Sequence, residues 1–185
     1  MFVISINWKF DNNYKGKDVI LSNNYLKGET SQGGQMVRCN FAIPDNSLSV
    51  ITFKIIDGDI GDFLGVIPNT FPSQNYNYSP DSNQNKKYTF GIDFSRNRWY
   101  NGESRNRSTI SGLEHESISK NSIIKLEFDF RNLNFKKLLI SINNNFIKKQ
   151  NTNNDYTLLL PNNFNTWYPC ICLRDKCSVY EIIKN

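Results

Sequence analysis

Apolar and polar residues alternate along much of this chain with the period of two expected of a half-buried β-strand. Phe2, Ile4 and Ile6 alternate with Val3, Ser5 and Asn7. Residues 50–56 read Val-Ile-Thr-Phe-Lys-Ile-Ile, rich in β-branched and aromatic types. Ile124, Leu126, Phe128 and Phe130 alternate strictly with Lys125, Glu127 and Asp129, and Leu138, Ile140 and Ile142 follow the same rule. Residues 168–173 and 179–183 close the series. Each run is short and bounded by Gly, Asn, Asp, Ser or Pro, with no helical repeat between them. That pattern predicts an all-β fold with little or no helix.

Strands with one apolar face must bury it against a second sheet, so the expected architecture is a two-sheet antiparallel β-sandwich. Asn132-Leu133-Asn134 and Asn143-Asn144-Asn145 fall between alternating runs and are predicted to be hairpin turns. Residues 68–87, dominated by Pro, Ser, Asn and Gln with Tyr76 and Tyr78 embedded, are predicted to form one long surface loop. No internal repeat or linker divides the chain, so residues 1–185 are expected to form a single domain.

Composition refines this picture. Aromatic residues make up 14% of the 185 residues, enough for a packed core. Asn is abundant, which fits a protein with many turns, and equally fits a coding bias of the source genome. The net charge of +5 is scattered apart from Arg96, Arg98, Arg105 and Arg107. Nucleic-acid binders concentrate such charge on one face, so no nucleic-acid partner is expected. No apolar run reaches the ~18 residues of a membrane span. The first ten residues are too polar for an export signal, so a cytoplasmic location with reduced thiols is expected.

Candidate chemistry is sparse. Cys170 and Cys172 share one strand face and Cys177 is near, but the spacing is not that of a zinc finger, and buried thiols act as small hydrophobes. Neither a metal nor a cofactor is expected. Glu127 and Asp129 share a strand face as glycosidase carboxylates do, but the next position on that face is the cation Arg131. His115 is the sole histidine, with no second His for a zinc-protease helix and no nucleophile elbow in the chain. An enzyme is not expected.

Four segments in order resemble the SPRY (B30.2) domain family. The first is Asp18-Val19-Ile20-Leu21-Ser22-Asn23-Asn24-Tyr25-Leu26, followed by Met36-Val37-Arg38-Cys39. The second is Gly61-Asp62-Phe63-Leu64-Gly65-Val66-Ile67. The third is Tyr88-Thr89-Phe90-Gly91-Ile92-Asp93 leading into Asn97-Arg98-Trp99-Tyr100-Asn101-Gly102, with Ile92 where the family commonly has Trp. The fourth spans residues 123–147, with Asn144 where Gly is usual, and continues into Trp167-Tyr168-Pro169-Cys170-Ile171-Cys172-Leu173-Arg174. The resemblance covers residues 18–181.

It implies a bent, concanavalin-like jelly roll that binds a protein or peptide partner, without catalysis, through loops at one end. Carried over by motif, those loops are residues 28–38, 58–61, 99–102 and 174–176. The partner-binding residues implied are Arg38, Gly58, Asp59, Ile60, Trp99, Tyr100, Asn101, Gly102, Arg174 and Asp175. Alternation makes Trp99 a core residue and leaves Tyr100 as a surface anchor of the kind interfaces favour. No SOCS box, RING or B-box accompanies these motifs, so the resemblance lends no support to a ubiquitin-ligase adaptor. A monomeric domain or a subunit of a hetero-complex is expected. Two other readings stay open: a structural subunit of a scaffold or cytoskeletal assembly, and a lectin-like carbohydrate-binding sandwich.

Overall fold

The alternating runs become strands, and the Asn-rich breaks become their turns. The computed structural model describes residues 3–4, 6–58, 62–94, 98–102, 113–114, 118–149, 152–174 and 176–184. Its strands are β1 (Val3–Ile4), β2 (Phe10–Lys15), β3 (Val19–Ser22), β4 (Lys27–Thr30), β5 (Gln35–Cys39), β6 (Leu48–Asp57), β7 (Phe63–Pro68), β8 (Phe90–Asp93) and β9 (Arg98–Asn101). They continue as β10 (Leu113–Glu114), β11 (Ile123–Asp129), β12 (Lys137–Ile142), β13 (Asn145–Phe146), β14 (Lys148–Lys149), β15 (Thr157–Leu159), β16 (Trp167–Leu173) and β17 (Val179–Ile183).

Two sheets stack as a sandwich. One runs β13-β12-β11-β6-β17-β4-β3, with β1 also on β6 and β15 also on β12. The other runs β2-β5-β16-β7-β8-β9. All pairings are antiparallel except that of β1 with β6. A two-stranded ribbon joins β10 to β14. The expected register holds: Ile124, Leu126, Phe128 and Phe130 are buried in the inter-sheet core, and so are Leu138, Ile140 and Ile142 on the neighbouring strand. Each such side chain contributes about 1.5–3 kcal/mol of burial.

The asparagines have a conformational use. Asn23, Asn24, Asn46, Asn121, Asn143 and Asn144 all take positive φ, between 49° and 73°. Asn tolerates this left-handed region better than other L-residues do. Asn143 and Asn144 form the β12–β13 hairpin turn as predicted, and Asn23 and Asn24 turn β3 into β4.

The segment predicted as a surface loop is different. After β7 the chain forms a 3₁₀ turn at Ser73–Asn77 and lies across the outer face of the six-stranded sheet. Phe71 and Tyr76 pack there on Phe63, Ile67, Met36, Cys170 and Cys172, forming a second small core. This is why β5, β7 and β8 are buried along their whole length. Asn85, fully buried, organises the turns by donating from Nδ2 to the carbonyls of Asn75, Tyr78 and Ser79 at 3.0, 2.8 and 3.1 Å. Polar composition concealed this role because a few aromatic residues carry the packing while the polar ones bond each other.

Candidate functional site

Strand register brings four connections to one end of the sandwich. They follow β4 (residues 31–34), β6 (58–62), β8 (94–97) and β16 (174–178), and their described residues are tied to one another. The buried carboxylate of Asp62 accepts hydrogen bonds from the Arg174 backbone N–H at 2.6 Å and the Ser178 hydroxyl at 3.0 Å. The Asp62 carbonyl accepts from the Phe94 N–H at 3.3 Å, and the Arg174 carbonyl accepts from the Gly34 N–H at 3.0 Å. Gly58 completes the join. Its φ is +116°, and a Cβ there would stand 2.7 Å from Ser178 Cα.

Behind this rim lies a charged cluster. Arg174 reaches Asp93 at 3.1 Å and Asp81 at 3.3 Å, joining β16, β8 and the segment over the sheet. The Tyr100 hydroxyl donates to the same Asp93 oxygen at 3.2 Å, and its ring meets Phe63 edge-on. Burial, reinforced by the negative Asp93, pushes the Tyr100 phenol up to about 12. A buried carboxylate such as Asp93 persists only when a cation and hydrogen bonds replace its water.

Tyr100, Gly91, Gly65, Cys170 and Arg38 stand in one row across the six-stranded sheet. Arg38 lies within strand β5 and is only 8% exposed. Its guanidinium is stacked between the rings of Tyr14 and Tyr168, at 3.4 and 3.9 Å, with Asp11 at 3.4 Å. Trp99 is buried in the main core and stacks on Tyr156, as alternation predicts. Asn101 pairs with Phe90 at the end of β9, and Gly102 has φ +80° beneath the Phe90 ring. Asp59, Ile60 and Asp175 lie outside the described residues, as do Arg96, Arg105, Arg107 and His115. Of the ten residues implied by resemblance, Gly58 and Arg174 therefore both lie at the loop end, linked through Ser178 and Asp62. Tyr100 joins Arg174 through Asp93, and Arg38 stands further along the sheet.

On the flank of the loop end is a shallow depression of about 300 Å³. Ile20, Cys177 and Val179 line it, with Glu29, Asp57 and Lys176 among its charged residues. Ile20 is 54% exposed and forms the apolar side of this depression with Val179.

The other candidate chemistries resolve differently. Glu127 and Asp129 do share the outer face, but Asp129 accepts two hydrogen bonds from Arg131 at 2.8 Å. That partner holds its carboxyl below the usual carboxylate range, unlike a general acid. Cys39, Cys170 and Cys172 are free, buried thiols, and burial raises their pKa values. Among the described residues no His, Cys, Asp or Glu cluster has the form of a metal site, and no helix is long and apolar enough to cross a membrane.

Sequence reading missed Asp62, Asp81, Asp93 and Ser178, which build the loop end, and Tyr14, which holds Arg38. Asp62 and Ser178 are 116 positions apart, and no local pattern marks such a pair.

No protein-family model matches the chain, and no curated protein sequence matches it. Its backbone is similar to that of the TRIM65 PSpry domain, with a TM-score of 0.66 at 12% identity over 97% of this chain and 90% of that one. It is also similar to a human SPRY domain, with a TM-score of 0.59 at 9% identity over 91% of this chain and 96% of that one. Stonustoxin matches with a TM-score of 0.61 at 10% identity, over 95% of this chain but 27% of the toxin chain. The chain has the SPRY-type fold.

Proposed function

We propose that this chain is a non-catalytic protein-binding module whose partner, a protein or peptide, docks on the loop end of the sandwich. The observation that carries this reading is the set of ties through Asp62 and Arg174, which joins the described residues of four connections at one end of the sandwich. Connections anchored at their bases on a rigid scaffold are where binding surfaces are commonly built. The depression beside Ile20 provides an apolar seat, and Asp57 and Lys176 provide charges that select among partners. The likeness to SPRY domains supports the same class of function, because that fold serves protein interaction rather than catalysis.

The test is affinity capture from native extract, comparing wild type with a charge-swapped rim, Asp57→Lys with Lys176→Glu. Asp57 and Lys176 are exposed, so the pair changes recognition and not folding. A stoichiometric protein captured by wild type and lost by the variant supports the reading. The same protein retained by both moves the interface away from the loop end, in favour of the structural-subunit alternative. No captured protein, together with a saccharide hit on a glycan array that free sugar blocks, replaces this reading with the lectin one.

A further inference from the structure

At the end of the sandwich opposite those loops, no further described strand pairs with the outer side of β15 in the nine-stranded sheet. β15 pairs with β12 through Leu158 and Leu138, and the Leu160 N–H donates to the Lys136 carbonyl at 2.9 Å. Antiparallel bonding alternates, so the main-chain groups of Thr157 and Leu159 point the other way, away from the sheet. Leu158 turns inward and is 5% exposed, while Leu159 is 56% exposed on the outer face.

The side chains around that edge form a groove of about 490 Å³ between Phe135, Leu159, Lys137, Asp129 and Arg131. Leu133, Phe135 and Leu159 are three of the eight large apolar side chains exposed among the described residues; the first two lie in the β11–β12 connection and the third in β15. Register places Asp129, Lys137 and Leu159 in one row across β11, β12 and β15, and among the described residues no strand takes the next place in that row. Two cations and one carboxylate line the groove. The carboxylate, Asp129, is already engaged by two hydrogen bonds from Arg131. The hydrogen bonds of Asp129 go to Arg131, so Lys137 stands beside that pair as the groove's second cation, between two apolar walls and with Glu127 next along the same face.

We infer that β15 takes a short extended segment of a partner protein as an added strand, with apolar side chains against Leu159 and Phe135 and a carboxylate directed to Lys137. Main-chain pairing at Thr157 and Leu159 would supply register, and the outer-face side chains would supply selectivity. β15 is three residues long and Pro161 follows it closely, so the edge admits a short strand and resists open-ended sheet growth. This surface is independent of the loop end.

The test is fluorescence anisotropy of the full chain with two labelled peptides. Both alternate Val and Thr, and they differ in carrying Asp or Lys at the central position on the Val face. The Asp peptide is expected to bind at least about tenfold tighter than the Lys peptide. Lys137→Glu should invert that preference, which no general loss of folding can do. Leu159→Pro removes an outward donor while sparing the bonds to β12, and should abolish binding of both peptides. Lys176→Glu, at the loop end, should change nothing. Equal binding of both peptides, binding that survives Leu159→Pro, or no binding of either overturns the inference. So does concentration-dependent dimerisation that Leu159→Pro removes, which would make the occupant a second copy of this chain.

Discussion

The guanidinium of Arg174 lies 3.1 Å from the carboxylate of Asp93, a side chain with no exposure to solvent. Cutting such a pair on one side takes from a buried charge its opposite charge, which is the costly way to break it. Arg174→Met is expected to cost about 3–5 kcal/mol in urea unfolding, because Asp93 and Asp81 both lose their ion pair with Arg174. Combining Arg174→Met with Asp93→Leu should recover part of that loss. If the double variant is less stable than the sum of the two singles, the cluster is not the ion pair that its geometry describes.

Tyr100 gives the cluster a pH signature. Its folded pKa is pushed up to about 12 from an ordinary value near 10, through burial and the negative Asp93. The folded state therefore favours the protonated phenol. Its contribution is fully present below the unfolded value and is lost as pH rises from about 10 through 12. Tyr100→Phe is expected to flatten the fall in stability over that window relative to wild type, as read by urea unfolding at stepped pH. An unchanged alkaline slope would place the loss on other tyrosines.

The strands were legible because burial imposes a period of two. The runs around Leu126 and Ile140 needed no partner to be recognised, and the turn asparagines carried their own conformational signal. The order of motifs carried the sandwich topology. What could not be read is anything decided by contacts between distant segments. Residues 28–38 were expected as loop, yet Lys27–Thr30 and Gln35–Cys39 are strands, the second buried on both sides by a segment that is invisible to periodicity. Arg38 illustrates the cost. A motif marks the position, but only the fold shows that two tyrosine rings and Asp11 occupy its guanidinium.

That stacking makes a specific demand on chemistry. A planar guanidinium stacks face-on between two rings while its edge reaches a carboxylate, whereas a tetrahedral ammonium has no face to stack. Arg38→Lys is expected to cost about 1–2 kcal/mol although charge is conserved, and Arg38→Glu to cost more by meeting Asp11. Chemical denaturation checks both. Partner capture by Arg38→Lys should match wild type, because the residue positions Tyr14 and Tyr168 rather than the loop end.

The register of the core is open to a paired test. Phe128 is fully buried opposite Leu138, and Glu127 beside it faces outward. Phe128→Ala is expected to cost about 3–5 kcal/mol, and Glu127→Ala to stay within about 0.5 kcal/mol. A reversal in equilibrium unfolding would mean a slip of one residue along β11, which would turn every side chain of that strand to the other face.

Asn85 decides whether the segment across the six-stranded sheet is a fixed layer. Its Nδ2 faces the carbonyl oxygens of Asn75, Tyr78 and Ser79 inside a site with no solvent exposure. Asn85→Ala leaves those acceptors without their donor, at an expected cost of about 1–3 kcal/mol. Asn85→Asp is nearly the same size but replaces a donor by an acceptor, so a carboxyl oxygen would confront three carbonyl oxygens. It should be worse than Ala despite the closer match in shape, and worse at pH 7 than at pH 4, where the protonated acid can donate once. Limited proteolysis is the sharper readout. Asn85→Asp should open cleavage within residues 69–89 before the sandwich unfolds, since the strands beneath are paired independently of the turns. If Ala is more disruptive than Asp, packing around the side chain, and not its hydrogen bonds, holds the segment down.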